Sequence, residues 1–108
     1  MRQVLTLILM LLAISPAIAG EREDRAMDRI EQAVELPQEA APLTSYKRFY
    51  AWAKPGRTIW VLYTLALPPG REWVASDAMP VMADRGCGII VFDFDLKLNL
   101  PRNPACGG

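Results

Sequence analysis

Cys87 and Cys106 are the only cysteines in the chain, and they bracket a run whose apolar residues alternate: Ile90, Phe92, Phe94, Leu96, Leu98 and Leu100 share one face. Alternation of this kind marks a half-buried β-strand. A single straight strand is nevertheless incompatible with pairing of the two thiols. From Cys87 to Leu100 it would extend about 43 Å at about 3.3 Å per residue, and the remaining steps to Cys106 return at most about 21 Å. A disulfide needs its Cα atoms about 5.5 Å apart. If the cysteines pair, the chain therefore reverses near Asp95 to Asn99.

The N-terminus bears on whether they do pair. Arg2 supplies a basic start, Val4 to Ile14 are apolar apart from Thr6, and Ala17-Ile18-Ala19 precedes Gly20 as a small-x-small signature. This is the pattern of a secretory signal peptide over residues 1–19, leaving a single domain over 20–108. The rival reading is an uncleaved anchor, but the run is shorter than the ~20 residues that span a bilayer and Pro16 interrupts its end. With no cysteine near the cleavage point, lipid attachment there is excluded, so membrane contact is expected only through the signal peptide before cleavage. Export places the chain in an oxidising compartment, where an even cysteine count favours a disulfide. Two cysteines without histidine also make a poor zinc site. Two buried thiols or an intermolecular bridge remain as alternatives.

Charge is balanced overall, with twelve basic and twelve acidic residues, but unevenly spread. Residues 20–40 are dominated by Glu21, Glu23, Asp24, Asp28, Glu31, Glu35 and Glu39, against Arg22, Arg25 and Arg29. Residues 41–71 carry Lys47, Arg48, Lys54, Arg57 and Arg71 and no acid. The simplest consequence is an acidic helix attracted to a basic part of its own sheet. An exported protein with no net positive charge is a poor partner for nucleic acid.

The helix is expected over residues 21–35, where Ala26, Met27, Ile30, Ala33 and Val34 fall on one face at helical spacing. Glu21 and Arg25 sit four apart in the favourable order, and Pro37 pushes Leu36 out of helical geometry. Tyr46 to Ala53 and Thr58 to Leu67 read as two strands joined at Pro55-Gly56. That turn sets Trp52 opposite Ile59, Tyr50 opposite Val61, Arg48 opposite Tyr63 and Tyr46 opposite Leu65, with Ile59, Val61, Tyr63, Leu65 and Leu67 on the core face. After the Pro68-Pro69-Gly70-Arg71 reversal, Glu72 to Val74 is expected to pair briefly and Ala75 to Asp84 to cross irregularly. Gly86 and Gly88 suggest a close backbone approach at Cys87. Pro101 and Pro104 make the returning arm a poor central strand.

The fold class is thus α+β: an N-terminal helix on a small antiparallel sheet of three or four strands, closed by Cys87–Cys106. Six of the nine aromatic residues fall within the first hairpin. The register leaves Phe49, Trp60 and Leu62 on the face away from the helix. With Lys47 beside them they form the candidate binding surface, because aromatic faces near cations suit sugar rings and partner hot spots. The competing explanation is a small core built from large side chains. Asp93 and Asp95 share a strand face and are the candidates for acid–base or cation chemistry, although the solvent side of an amphipathic strand explains them as well. The chain has no histidine, which removes the usual general base, so no catalytic or metal-ligating residue is assigned and no cofactor is expected.

The run Leu36-Pro37, Pro42-Leu43, Tyr46-x-Arg48-x-Tyr50-Ala51, Pro69-Gly70-Arg71-x-Trp73-Val74, Asp84-x-Gly86-Cys87 and a closing Cys106-x-Gly resembles a group of short exported proteins of unknown function from Gram-negative bacteria. Arg85 departs from the Asp-Gly-Gly-Cys of that group, and Gly107 stands where asparagine is expected. The resemblance implies a periplasmic location and paired cysteines, and no activity. The functional expectation is a non-enzymatic periplasmic or secreted domain that binds a protein or an envelope polymer. An inhibitor of a secreted enzyme is one concrete form, since a small disulfide-closed sheet presents rigid edges. A carboxylate-dependent enzyme or cation binder using Asp93 and Asp95, and a structural envelope accessory, are the alternatives.

Overall fold

The computed structural model describes residues 20–82 and 86–107. The expected signal peptide and the Asp84-Arg85 part of the turn before Cys87 lie outside the described residues. Helix α1 spans Glu21–Ala33. Glu23 Oε1 accepts a hydrogen bond from the Gly20 N–H at 3.2 Å, and Glu21, Glu23 and Asp24 place negative charge in the first turn, where the helix dipole favours it. The helix stops two residues before the expected end. Val34 is already extended (φ −74°, ψ 136°), and it packs with Leu36 against the main core.

Strands β1 (Lys47–Lys54) and β2 (Thr58–Thr64) form the expected hairpin. Trp52 faces Ile59, Tyr50 faces Val61 and Arg48 faces Tyr63, with a register shift between Trp52 and Lys54. Gly56 takes φ 74° in the turn, and the Arg57 N–H closes it on the Lys54 carbonyl at 2.9 Å. β2 ends at Thr64, whose Oγ1 accepts the Ala66 N–H at 3.0 Å. The chain leaves the sheet there, so Leu65 and Leu67, expected in the core, are 45% and 39% exposed.

The expected antiparallel sheet of three or four strands is corrected in both respects: the described residues form five strands, in the order β3-β1-β2-β4-β5, and the sheet is mixed. Residues 65–69 hop across the start of β1, so β3 (Gly70–Trp73) lies parallel to β1 on its far side, Lys47 against Gly70 and Tyr50 against Trp73. The hop is feasible because skipping one strand requires roughly 10 Å at about 4.8 Å per strand, well within the reach of five residues. β4 (Ile89–Asp95) pairs antiparallel with β2. The chain then reverses over residues 96–99, where the disulfide geometry demands it, and β5 (Leu100–Cys106) pairs antiparallel with β4. Its prolines are tolerated because β5 is an edge. Asn103, at φ 53°, lies where the ladder slips between Val91 and Asp93.

Two apolar clusters follow from this topology. Ala26, Met27 and Ile30 of α1 pack on Tyr46, Tyr50, Ile59, Val61, Tyr63, Trp73, Ile90, Phe92 and Phe94. On the other face, Phe49, Ala51 and Leu62 are covered by Val74 and Met79. The cover arises because β3 is an outer strand ending beside Tyr50 while β4 starts beside Thr64 on the far side of β2, so the connection has to pass over β1 and β2. Cys87 and Cys106 are bonded, with Cα atoms 4.5 Å apart. The Tyr46 hydroxyl donates to the Cys87 carbonyl at 2.6 Å, and the Gly107 N–H donates to Ile89 O at 2.8 Å, so the tail is held by more than the bridge.

Candidate functional site

The surface expected around Phe49, Trp60, Leu62 and Lys47 is largely closed. Phe49 and Leu62 are buried, which corrects their reading as exposed binding residues: Val74 and Met79 supply the second cover that the helix cannot. Trp60 packs half-buried at the margin of the same cluster. Lys47 Nζ pairs with Glu72 at 3.0 Å and lies 5.3 Å from the Phe49 ring centroid. Asp93 is exposed and sits opposite Arg102 in the ladder. Asp95 Oδ1 accepts the Leu98 N–H at 2.9 Å, and that bond, more than any neighbour, holds its carboxyl below the usual range. A carboxylate kept ionised to cap a turn is poorly suited to serve as a general acid.

The aromatic cluster is mainly core. Tyr50 and Tyr63 meet edge to face at 5.9 Å, Tyr63 meets Phe92 at 5.6 Å, and Trp52 meets Trp73 at 5.0 Å. Their polar ends are gathered beneath α1. Glu31 Oε2 accepts from the Tyr50 hydroxyl at 2.6 Å and from Arg48 Nε at 3.1 Å. Arg71 reaches both Asp28 (2.9 Å) and Glu31 (3.4 Å). The expected attraction between acidic helix and basic sheet is thus a set of specific bonds. With its proton committed to Glu31, the Tyr50 hydroxyl receives that of Tyr63 at 3.0 Å.

Burial, the neighbouring Tyr63 and the bond to Glu31 raise Tyr50 far above its ordinary value of 10.0. Burial likewise raises Tyr63, only partly offset by its contact with Tyr50. Both folded-state values exceed the unfolded ones, so the stability they contribute is intact below about pH 10 and declines as pH rises, while the unfolded chain loses protons first. We expect unfolding free energy to fall by about 1.4 kcal/mol per pH unit for each tyrosine above that point. Urea titrations at stepped alkaline pH check this, and a flat profile would contradict it.

Among the recesses formed by the described residues, one gathers several cationic side chains. The Arg22 to Arg29 stretch of α1 and the β1–β2 and β4–β5 turns, tied to each other by the Leu96 N–H on Arg57 O at 2.9 Å, enclose a cleft of about 570 Å3. Arg22, Arg25 and Arg29 line it from the helix, Lys97 from the far turn, and Trp52, Ala26 and Leu96 supply apolar wall. Each arginine is held. The Arg22 guanidinium lies 5.3 Å from the Trp52 ring centroid, Arg25 pairs with Glu21 at 3.1 Å, and Arg29 donates to Asn99 Oδ1 (2.9 and 3.1 Å) and to Leu96 O (2.9 Å). Asp28, the acidic residue lining the cleft, is engaged by Arg71. Gly56 is suited to glycine by its positive φ; an added Cβ would lie 3.1 Å from Arg22 Nη2, a contact that a small shift of that long side chain relieves.

Sequence reading missed this site because it weighed the helix by its excess of acid. The available signal was the spacing of Arg22, Arg25 and Arg29, at i, i+3 and i+7, which puts them along one helix face. Comparison with protein-family profiles, curated proteins and solved structures finds no match for the chain.

Proposed function

We propose that this protein is a non-enzymatic, exported binding domain of the bacterial envelope, processed after Ala19, and that its ligand is an envelope component received in the basic cleft. The observation that carries this reading is the gathering of Arg22, Arg25, Arg29 and Lys97 around one open recess in a chain whose formal net charge is zero. Long-range attraction to polyanions is weak for such a chain, so the cations act locally. The volume of the recess falls in the ~300–1,000 Å3 range of ligand pockets, as do three other recesses of about 390 to 420 Å3, so the cations rather than the volume single it out. The disulfide supports the exported location, and the prearranged arginines reduce the ordering cost of binding.

The test is co-sedimentation of the protein, expressed as the full chain and recovered after export, with sacculi and outer-membrane fractions. Retention at low ionic strength and release at on the order of 0.5 M salt, where charges are screened beyond roughly 4 Å, is the expected result. Failure to associate with either fraction would overturn the proposal.

A further inference from the structure

We propose that the cleft recognises an anionic saccharide, a sugar ring bearing phosphate or carboxylate substituents; this rests on the envelope-binding reading above and names its ligand class. Guanidinium groups present a planar fork that matches two oxygens of a phosphate or carboxylate. Arg22 and Arg29 are seven residues apart, so their helical positions are separated by roughly 10 Å along the axis at about 1.5 Å per residue. A single small anion does not bridge that span, whereas charges on successive rings of a polymer do. Trp52, Ala26 and Leu96 offer the apolar wall against which the C–H face of a ring rests. Among the described residues Arg29 donates through Nε and Nη2 to Asn99 and Leu96, which leaves Nη1 for a ligand. A recess of about 570 Å3 between a helix and two turns admits a narrow ligand segment rather than the flat face of a folded protein.

The experiment measures binding of the exported protein to four defined polymers by calorimetry. Polygalacturonate presents carboxylated rings, phosphomannan phosphorylated rings, dextran neutral rings and poly-L-glutamate carboxylates without rings. Binding to polygalacturonate or phosphomannan, with dextran silent and poly-L-glutamate at least about tenfold weaker, is expected; which of the two binds distinguishes carboxylate from phosphate. R25Q and K97Q should each weaken that binding by on the order of tenfold, the size of one charge-assisted hydrogen bond. Both residues are at the surface, so the variants are expected to keep the parent unfolding midpoint. R102Q, on β5, should leave affinity unchanged.

Equal affinity for poly-L-glutamate, binding to dextran, or undiminished binding by both R25Q and K97Q would overturn the proposal. A protein that co-sediments with envelope fractions yet binds neither charged polysaccharide would also overturn it while leaving the broader reading in place. Absence of co-sedimentation removes both.

Discussion

Replacing Glu31 by alanine is expected to lower the unfolding free energy by about 3 kcal/mol. The Glu31 side chain is 18% exposed and its partner Arg48 is 11% exposed, so the Arg48 charge stays out of bulk water when its partner is removed. The substitution strands three donors: Arg48 Nε at 3.1 Å, the Tyr50 hydroxyl at 2.6 Å and Arg71 Nη1 at 3.4 Å. Removing one partner of a buried pair costs roughly 3–5 kcal/mol, because the other charge stays buried. The lower end applies here, since Arg48 keeps its bonds to Leu43 O and Tyr46 O. Glutamine, which retains an acceptor, should lose less. Asp28→Ala is the informative contrast: its carboxylate is 56% exposed, and exposed pairs contribute about 0–1 kcal/mol. Denaturant titration of the three variants checks the ordering. A loss below about 1 kcal/mol for Glu31→Ala would mean that apolar packing by Ala26, Met27 and Ile30 alone seats the helix.

The second large effect is expected from the disulfide. Replacing Cys87 and Cys106 together by serine should destabilise the protein by about 3 kcal/mol, the chain-entropy value for a closed loop of this length, the two residues being separated by 19 positions. The total stability of so small a domain is on the order of 5 kcal/mol, so a variant without the bridge should populate unfolded chain at moderate temperature. The loss falls on the outer half of the sheet, because the bridge ties the segment leading into β4 to the end of β5. Thermal unfolding of oxidised, reduced and double-serine protein measures it. If all three melt within a few degrees of one another, the β4–β5 ladder and the Tyr46–Cys87 hydrogen bond suffice without the covalent link.

The parts of the fold that were legible in the sequence were those set by local chemistry. Pro55-Gly56 fixed the hairpin turn, and with it the pairing of Trp52 with Ile59 and of Tyr50 with Val61. The conflict between alternation and cysteine spacing located the reversal after Asp95. The excess of acid in the helix and of base near Arg48 and Arg71 anticipated how the two would meet. Long-range choices were less legible. Nothing local in Pro68-Pro69-Gly70 distinguishes a return beside β2 from a hop across β1, and that choice produces the parallel pair. The destination of Val74 and Met79 depends on the same choice, which is why Phe49 and Leu62 were expected at a free surface and lie instead beneath a strap. The cleft was hidden for a related reason: Arg22 and Lys97 are far apart in sequence, and only the stacking of two turns at one end of the sheet brings them to the same recess.

The outer strands have a consequence for how the molecule meets other chains. Pro101 and Pro104 remove backbone donors from β5, Asn103 bends it, and β3 is only four residues long. A sheet bounded in this way offers a poor template for a neighbouring chain to extend. A visitor is therefore more readily met by side chains than by main-chain zippering.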